Sequence, residues 1–125
     1  MTLPPYAALI GATLEKGSDG TVVVVPFGDD VVGRPGFLHG GAIGGLLELA
    51  GGVALREALA DAAARIELVT LTVDYLRGGR EHSTRAAARV TRLGRRVANV
   101  EASAWQDDRD RPIATARLCF AVDRG

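Results

Sequence analysis

A chain of 125 residues suits a single domain over residues 1–125 that buries roughly two thirds of its unfolded surface. Fifteen basic and fifteen acidic side chains cancel, and charged residues make up 24% of the chain, which argues against nucleic acid or a membrane surface as the main partner. The one cysteine, Cys119, cannot form an internal disulfide and reads as a small buried hydrophobe in a reducing compartment. The opening MTLPPYAALIGATLEKG has no basic region before its apolar stretch, so no signal peptide is read there. No uncharged run approaches the ~20 residues of a membrane helix. The expectation is a soluble cytoplasmic protein.

In chain order, Ala7 to Lys16 reads as a strand or a short helix. The turn cluster Gly17, Ser18, Asp19 and Gly20 follows, and the β-branched run TVVVVP from Thr21 completes a hairpin. Phe27 to Leu38 carries three glycines, one proline and two aspartates, the composition of a mobile loop. From Gly40 to about Ala64 the pattern is helical, apolar on nearly every side up to Leu55 and therefore buried. Beyond it Glu57, Asp61 and Arg65 mark a solvated end. Four strand-like segments complete the chain: Ile66 to Arg77, Ser83 to Leu93, Arg96 to Gln106 and Pro112 to Val122. Turns at Gly94 and at Asp107 to Arg111 make the last three a meander. Trp105, Tyr75 and Phe120 fit core positions on these strands. One long helix covered by one curved antiparallel sheet is an α+β arrangement. One sheet cannot seal a helix all round, so a second subunit in a C2 pair is expected to cover the rest.

The candidate site lies within that helix. Glu48 is the one acid between His39 and Glu57, and its neighbours three and four residues away are Gly44, Gly45, Gly51 and Gly52. Residues at that spacing share a helix face, and each glycine costs a helix interior ~1 kcal/mol relative to alanine. The stretch HGGAIGGLLELAGGVAL is thus costly unless a ligand or a second backbone approaches closely. At the start of the helix, Gly40 and Gly41 offer unpaired N–H groups at the positive end of the dipole. Such groups suit an oxyanion. Between Arg77 and Arg96 there are seven arginines and one glutamate. Most of these suit a solvated strand face, but Arg95 and Arg96 stand in a turn where they can meet phosphates. His39 and His82 stand apart from carboxylates at ligand spacing, so no metal site is read. No GxSxG serine motif occurs.

The order of elements, the segment GFLHGGAIGGLLELAGGVAL and the later TLTVDYLRGG and GRRVANVEASAWQDD resemble the hotdog-fold acyl-CoA thioesterases. The branch resembled is that of the phenylacetate-degradation and 4-hydroxybenzoyl-CoA enzymes. The likeness covers nearly the whole chain. It rests most on a histidine, two glycines and an acid nine residues after the histidine, here His39, Gly40, Gly41 and Glu48. The resemblance implies a hotdog fold, a central helix wrapped by five to six antiparallel strands. It further implies hydrolysis of an acyl-CoA with no cofactor beyond the coenzyme A of the substrate, in a homodimer or a dimer of dimers. Glu48 would be nucleophile or general base, the Gly40 N–H would bind the thioester oxygen, and His39 would shape that corner. Gly41, Gly44, Gly45 and Gly52 would let the substrate approach, and Arg95 and Arg96 would meet its phosphates. Gly33 stands where family members often carry asparagine or glutamine, and Gly52 where some carry a hydroxyl.

Eight residues of helix span ~12 Å, so Gly40 and Glu48 of one chain cannot touch the same carbonyl. The resemblance implies that the acid comes from one subunit and the oxyanion donor from the other. Two rival readings are a hydratase or dehydratase of the same fold and a non-catalytic acyl-binding or assembly protein whose glycines serve packing alone.

Overall fold

A computed structural model describes residues 2–125. A short helix, α1 (Pro5–Leu9), leads into the hairpin β1 (Thr13–Gly17) and β2 (Gly20–Val25). The ambiguous segment at the start is therefore both helix and strand, with Gly11 at φ +71° making the bend between them. The long helix α2 (Gly40–Leu59) follows, then β3 (Arg65–Tyr75), β4 (Thr84–Leu93), β5 (Val97–Trp105) and β6 (Ala114–Asp123).

The strands form one antiparallel sheet in the order β1-β2-β4-β5-β6-β3. The meander β4-β5-β6 is as expected, while β3 crosses to the far side of β6 and ends the sheet. Register shifts at Leu68/Thr70 and at Val90/Arg92 are bulges, which bend strands and curve this sheet around α2. Alternation then decides the core: Ala98, Val100, Ala102 and Ala104 of β5 and Ala114, Ala116, Leu118, Phe120 and Val122 of β6 point inward and are buried. Small residues there let the helix sit close to the sheet. Cys119, between inward Leu118 and Phe120, points to the outer face and is half-buried, a correction to its reading as a core residue.

Helix α2 supplies Ile43, Leu46, Leu47, Leu49, Ala50, Val53 and Leu55 to this core. It ends sooner than the sequence pattern suggests because Ala60 adopts a left-handed conformation at φ 50° and its N–H caps the Arg56 carbonyl. The Arg56 guanidinium then donates to the Ala64 carbonyl, fixing the turn into β3. One stripe of α2 escapes the sheet. Gly41 and Glu48 are exposed and Gly45 and Gly52 half-exposed, the i, i+4, i+7, i+11 series of a single face. The connection from β2 to α2 is tied rather than loose. Val32 bridges Leu38, and the Leu38 N–H donates to the Gly79 carbonyl at 2.9 Å.

Candidate active site

The start of α2 is built by its own sequence. His39 is extended (φ −68°, ψ 131°) and caps the helix, its Nδ1 accepting the Gly41 N–H at 2.9 Å. A Cβ on Gly41 would stand 2.9 Å from that imidazole, so the cap itself requires glycine there. This commits the Gly41 amide to the ring. The Gly40 N–H, by contrast, has no acceptor among the described residues. Tyr75, at the end of β3, donates its hydroxyl to the Gly40 carbonyl at 2.8 Å. Its place at the strand end, 55% exposed, corrects the expectation that it is a core residue. Alternation with Leu71 and Val73 does put it on the helix side. Past the end of the core, it meets the helix start instead. Trp105 and Phe120 are buried as expected.

His39, Gly40 and Tyr75 line a cavity of about 530 Å³ together with Gly33, Arg34 and Phe37. Gly33 belongs to this wall: a Cβ there would lie 3.1 Å from the His39 Cα.

Glu48 lies at a second cavity, about 930 Å³, whose walls include Leu3, Pro4, Val53, Leu68 and Phe120. It is exposed and takes part in no hydrogen bond or ion pair among the described residues. An unpaired acid beside an apolar wall is available for chemistry. The strip of glycines around it is narrower than the sequence suggests. Gly44 and Gly51 are buried, and a Cβ on Gly51 would stand 2.9 Å from Leu118, so Gly51 serves packing against β6. Gly45 lies under the Tyr6 ring, where a Cβ would come within 2.3 Å of Cε2. Only Gly52 has nothing within 4 Å and shares the Glu48 cavity. The Tyr6 cover and the Leu3 and Pro4 wall come from the first turn of the chain, which spacing around Glu48 could not point to.

Arg95 and Arg96 lie in the β4–β5 turn and line a separate recess with Arg92 and Asn99. They border neither the Gly40 cavity nor the Glu48 cavity. Nor do Gly40 and Glu48 share a cavity in one chain, in keeping with the ~12 Å that separates them along the helix.

A family model of the thioesterase superfamily matches residues 35–113, more than half of the chain and the part that holds α2 and β3 to β5. The chain belongs to the thioesterase superfamily. A candidate esterase of Halobacterium salinarum is 34% identical to this thioesterase over 127 residues, covering 94% of the chain and 83% of the relative. Among solved structures, a Pseudomonas aeruginosa thioesterase crystallised as a glutamine-to-alanine variant is 28% identical, with a TM-score of 0.81 over 94% of this chain and 84% of the other. A Bacillus halodurans protein crystallised with CoA has a TM-score of 0.87 at 24% identity, over 98% of this chain and 80% of that one, a likeness of fold. The thioesterase is accordingly a thioester hydrolase with the hotdog architecture that its sequence resembles. None of its described helices is long and apolar enough to cross a membrane.

Proposed function

We propose that this thioesterase hydrolyses an acyl-CoA to the free acid and coenzyme A, in a homodimer whose two sites each draw Glu48 from one subunit and the Gly40 N–H from the other. The observation that carries the reading is the contrast between neighbouring amides: Gly41 is spent on the His39 cap, while Gly40 is left unpartnered beside a cavity. The positive end of α2 strengthens that donor for an anion.

The chemistry follows from these two groups. Acting as general base, Glu48 takes a proton from water as the oxygen adds to the thioester carbonyl, and the Gly40 N–H holds the oxyanion. Collapse breaks the C–S bond, and the thiolate recovers the proton from Glu48. Acting as nucleophile, Glu48 forms an acyl anhydride as the thiolate leaves, and water then releases the acid. The acyl group lies against the apolar wall of Leu3, Val53, Leu68 and Phe120 beside Glu48. The CoA held by the Bacillus halodurans neighbour supports coenzyme A as the thiol carrier.

The dimer has a physical basis in β3. This strand of eleven residues ends the sheet with an unpaired edge, which pairs readily with a second copy. The exposed stripe of α2 is what such a copy would cover. Glu48→Gln tests the assignment, with expected loss of turnover by at least ~100-fold, the lower end of general-base contributions. Near-normal turnover with a folded protein rejects it.

A further inference from the structure

The cavity that holds the Gly40 amide has a feature that oxyanion binding leaves unexplained. The ring of Phe37 carries two guanidiniums, Arg34 with Cζ 4.0 Å and Arg80 with Cζ 4.5 Å from the ring centroid. Neither arginine is in an ion pair, and the side-chain guanidinium of neither makes a hydrogen bond among the described residues. Two like charges have been brought to one ring, and neither is paired with the nearby Glu81 carboxylate, whose Oε1 lies 3.6 Å from where a Cβ on Gly36 would stand.

The arrangement is held in place from several sides. Gly78 must be glycine for the ring to seat, because a Cβ there would lie 2.9 Å from Phe37. The Phe37 N–H donates to the Arg34 carbonyl at 3.0 Å and the Gly33 N–H to the Phe37 carbonyl at 2.9 Å. Gln106 brackets the backbone of Arg80, accepting its N–H and donating to its carbonyl, both at 2.9 Å. The same amide donates to Thr84, which is fully buried. Arg34 and Phe37 line the cavity beside Gly40, and Arg80 reaches its rim through the shared ring without being one of the lining residues.

A guanidinium stacked on an aromatic ring uses its π-face there and keeps its N–H fork free for a planar or tetrahedral anion. Two such forks near a helix start whose Gly40 N–H is free among the described residues favour a doubly charged group. We propose that Arg34 and Arg80, seated on Phe37, bind a phosphate of the thiol carrier and so select coenzyme A thioesters over phosphate-free ones. This rests on the acyl-CoA reading above. The arginines that the sequence puts forward for phosphates, Arg95 and Arg96, line a separate recess at the β4–β5 turn and provide the comparison.

The test compares steady-state kinetics of wild type, Arg34→Ala/Arg80→Ala and Arg95→Ala/Arg96→Ala on an acyl-CoA and on the N-acetylcysteamine thioester of the same acid, which has no phosphate. For Arg34→Ala/Arg80→Ala the expected result is a KM for the acyl-CoA raised by at least ~10-fold with kcat held within about twofold, as loss of charge-assisted contacts made before and during reaction gives. The KM for the phosphate-free thioester should stay put. Arg34→Lys/Arg80→Lys, which keeps charge but loses the stacked fork, should fall between. Equal change in KM for both thioesters, or none for either, overturns the proposal. So does a larger effect from Arg95→Ala/Arg96→Ala. An anion contact to the acyl group instead of the carrier would reveal itself as a KM rise on both thioesters when the acyl group carries a carboxylate, and it too overturns the phosphate assignment. Failure of the underlying reading looks different: wild type would then turn over the phosphate-free thioester and leave acyl-CoA intact, and the inference would fall with it.

Discussion

The Tyr75 hydroxyl donates to the Gly40 carbonyl at 2.8 Å, fastening the end of β3 to the first residue of α2. The peptide group it holds belongs to the turn whose free N–H is assigned to the oxyanion. Tyr75→Phe keeps the ring against Gly40 and deletes only this bond. The expected cost is ~1 kcal/mol of stability, the usual worth of one hydrogen bond, with kcat lowered about three- to tenfold, as a loosened oxyanion donor requires. Urea unfolding and kcat measured together check this. A stability loss with unchanged kcat would show that the bond supports the fold without positioning the amide.

A divided site has a signature in mixed dimers. Gly40→Pro removes the proposed donor while keeping the helix start, because proline is favoured at the first helical position and the preceding His39 is already extended (φ −68°, ψ 131°), as a residue before proline must be. Neither Gly40→Pro nor Glu48→Gln homodimers should turn over. After subunit exchange in a 1:1 mixture, half of the dimers are mixed and one of two sites in each is intact, so about a quarter of wild-type activity should return. If both groups act within one chain, no activity returns.

Val69 sits in the β3 bulge and is 61% exposed, on the strand that ends the sheet. If that edge pairs with its copy, as proposed, Val69→Glu brings two like charges to the seam. The expected outcome is a folded monomer by sedimentation velocity, with turnover lost in parallel. A variant that sediments with wild type would remove β3 as the pairing edge.

Gly45 and Tyr6 are coupled by contact. An added Cβ at Gly45 would stand 2.3 Å from Tyr6 Cε2, so Gly45→Ala must displace the ring. The atoms met are the outer end of an exposed ring that can swing aside, so the displacement should roughly cancel the ~1 kcal/mol by which alanine favours a helix over glycine. In a Tyr6→Ala background the same substitution should stabilise by about that amount. Urea titration of the four proteins gives the coupling, and equal effects of Gly45→Ala in both backgrounds would dismiss it.

The strands were readable because alternation and turn residues act locally: Gly94 ends β4, and its N–H closes the turn on the Val97 carbonyl. The buried helix was readable from its continuous apolar run. Its end was not, since no glycine announces the left-handed residue and Ala60 takes that conformation under tertiary constraint. At the site, His39, Gly40 and Glu48 stood out by spacing, but the meaning of each glycine depended on what lay opposite. Gly41 answers to the His39 ring, Gly45 to Tyr6 and Gly51 to Leu118. Tyr6 and Leu118 are far from their glycines in sequence, and His39, only two residues from Gly41, shows its role only once its ring is seen to turn back onto the helix start. The stacking of Arg34 and Arg80 on Phe37 was hidden for the same reason, as two loops 40 residues or more apart in order meet only after β3 has crossed the sheet.

The bare edge of β3 carries one more implication under the dimer reading. At concentrations where single chains predominate, working sites scale with the square of chain abundance, so halving the protein roughly quarters its output by mass action. Expression level would then set both the amount of enzyme and the fraction of it that functions. Dilution alone would silence the activity without any inhibitor.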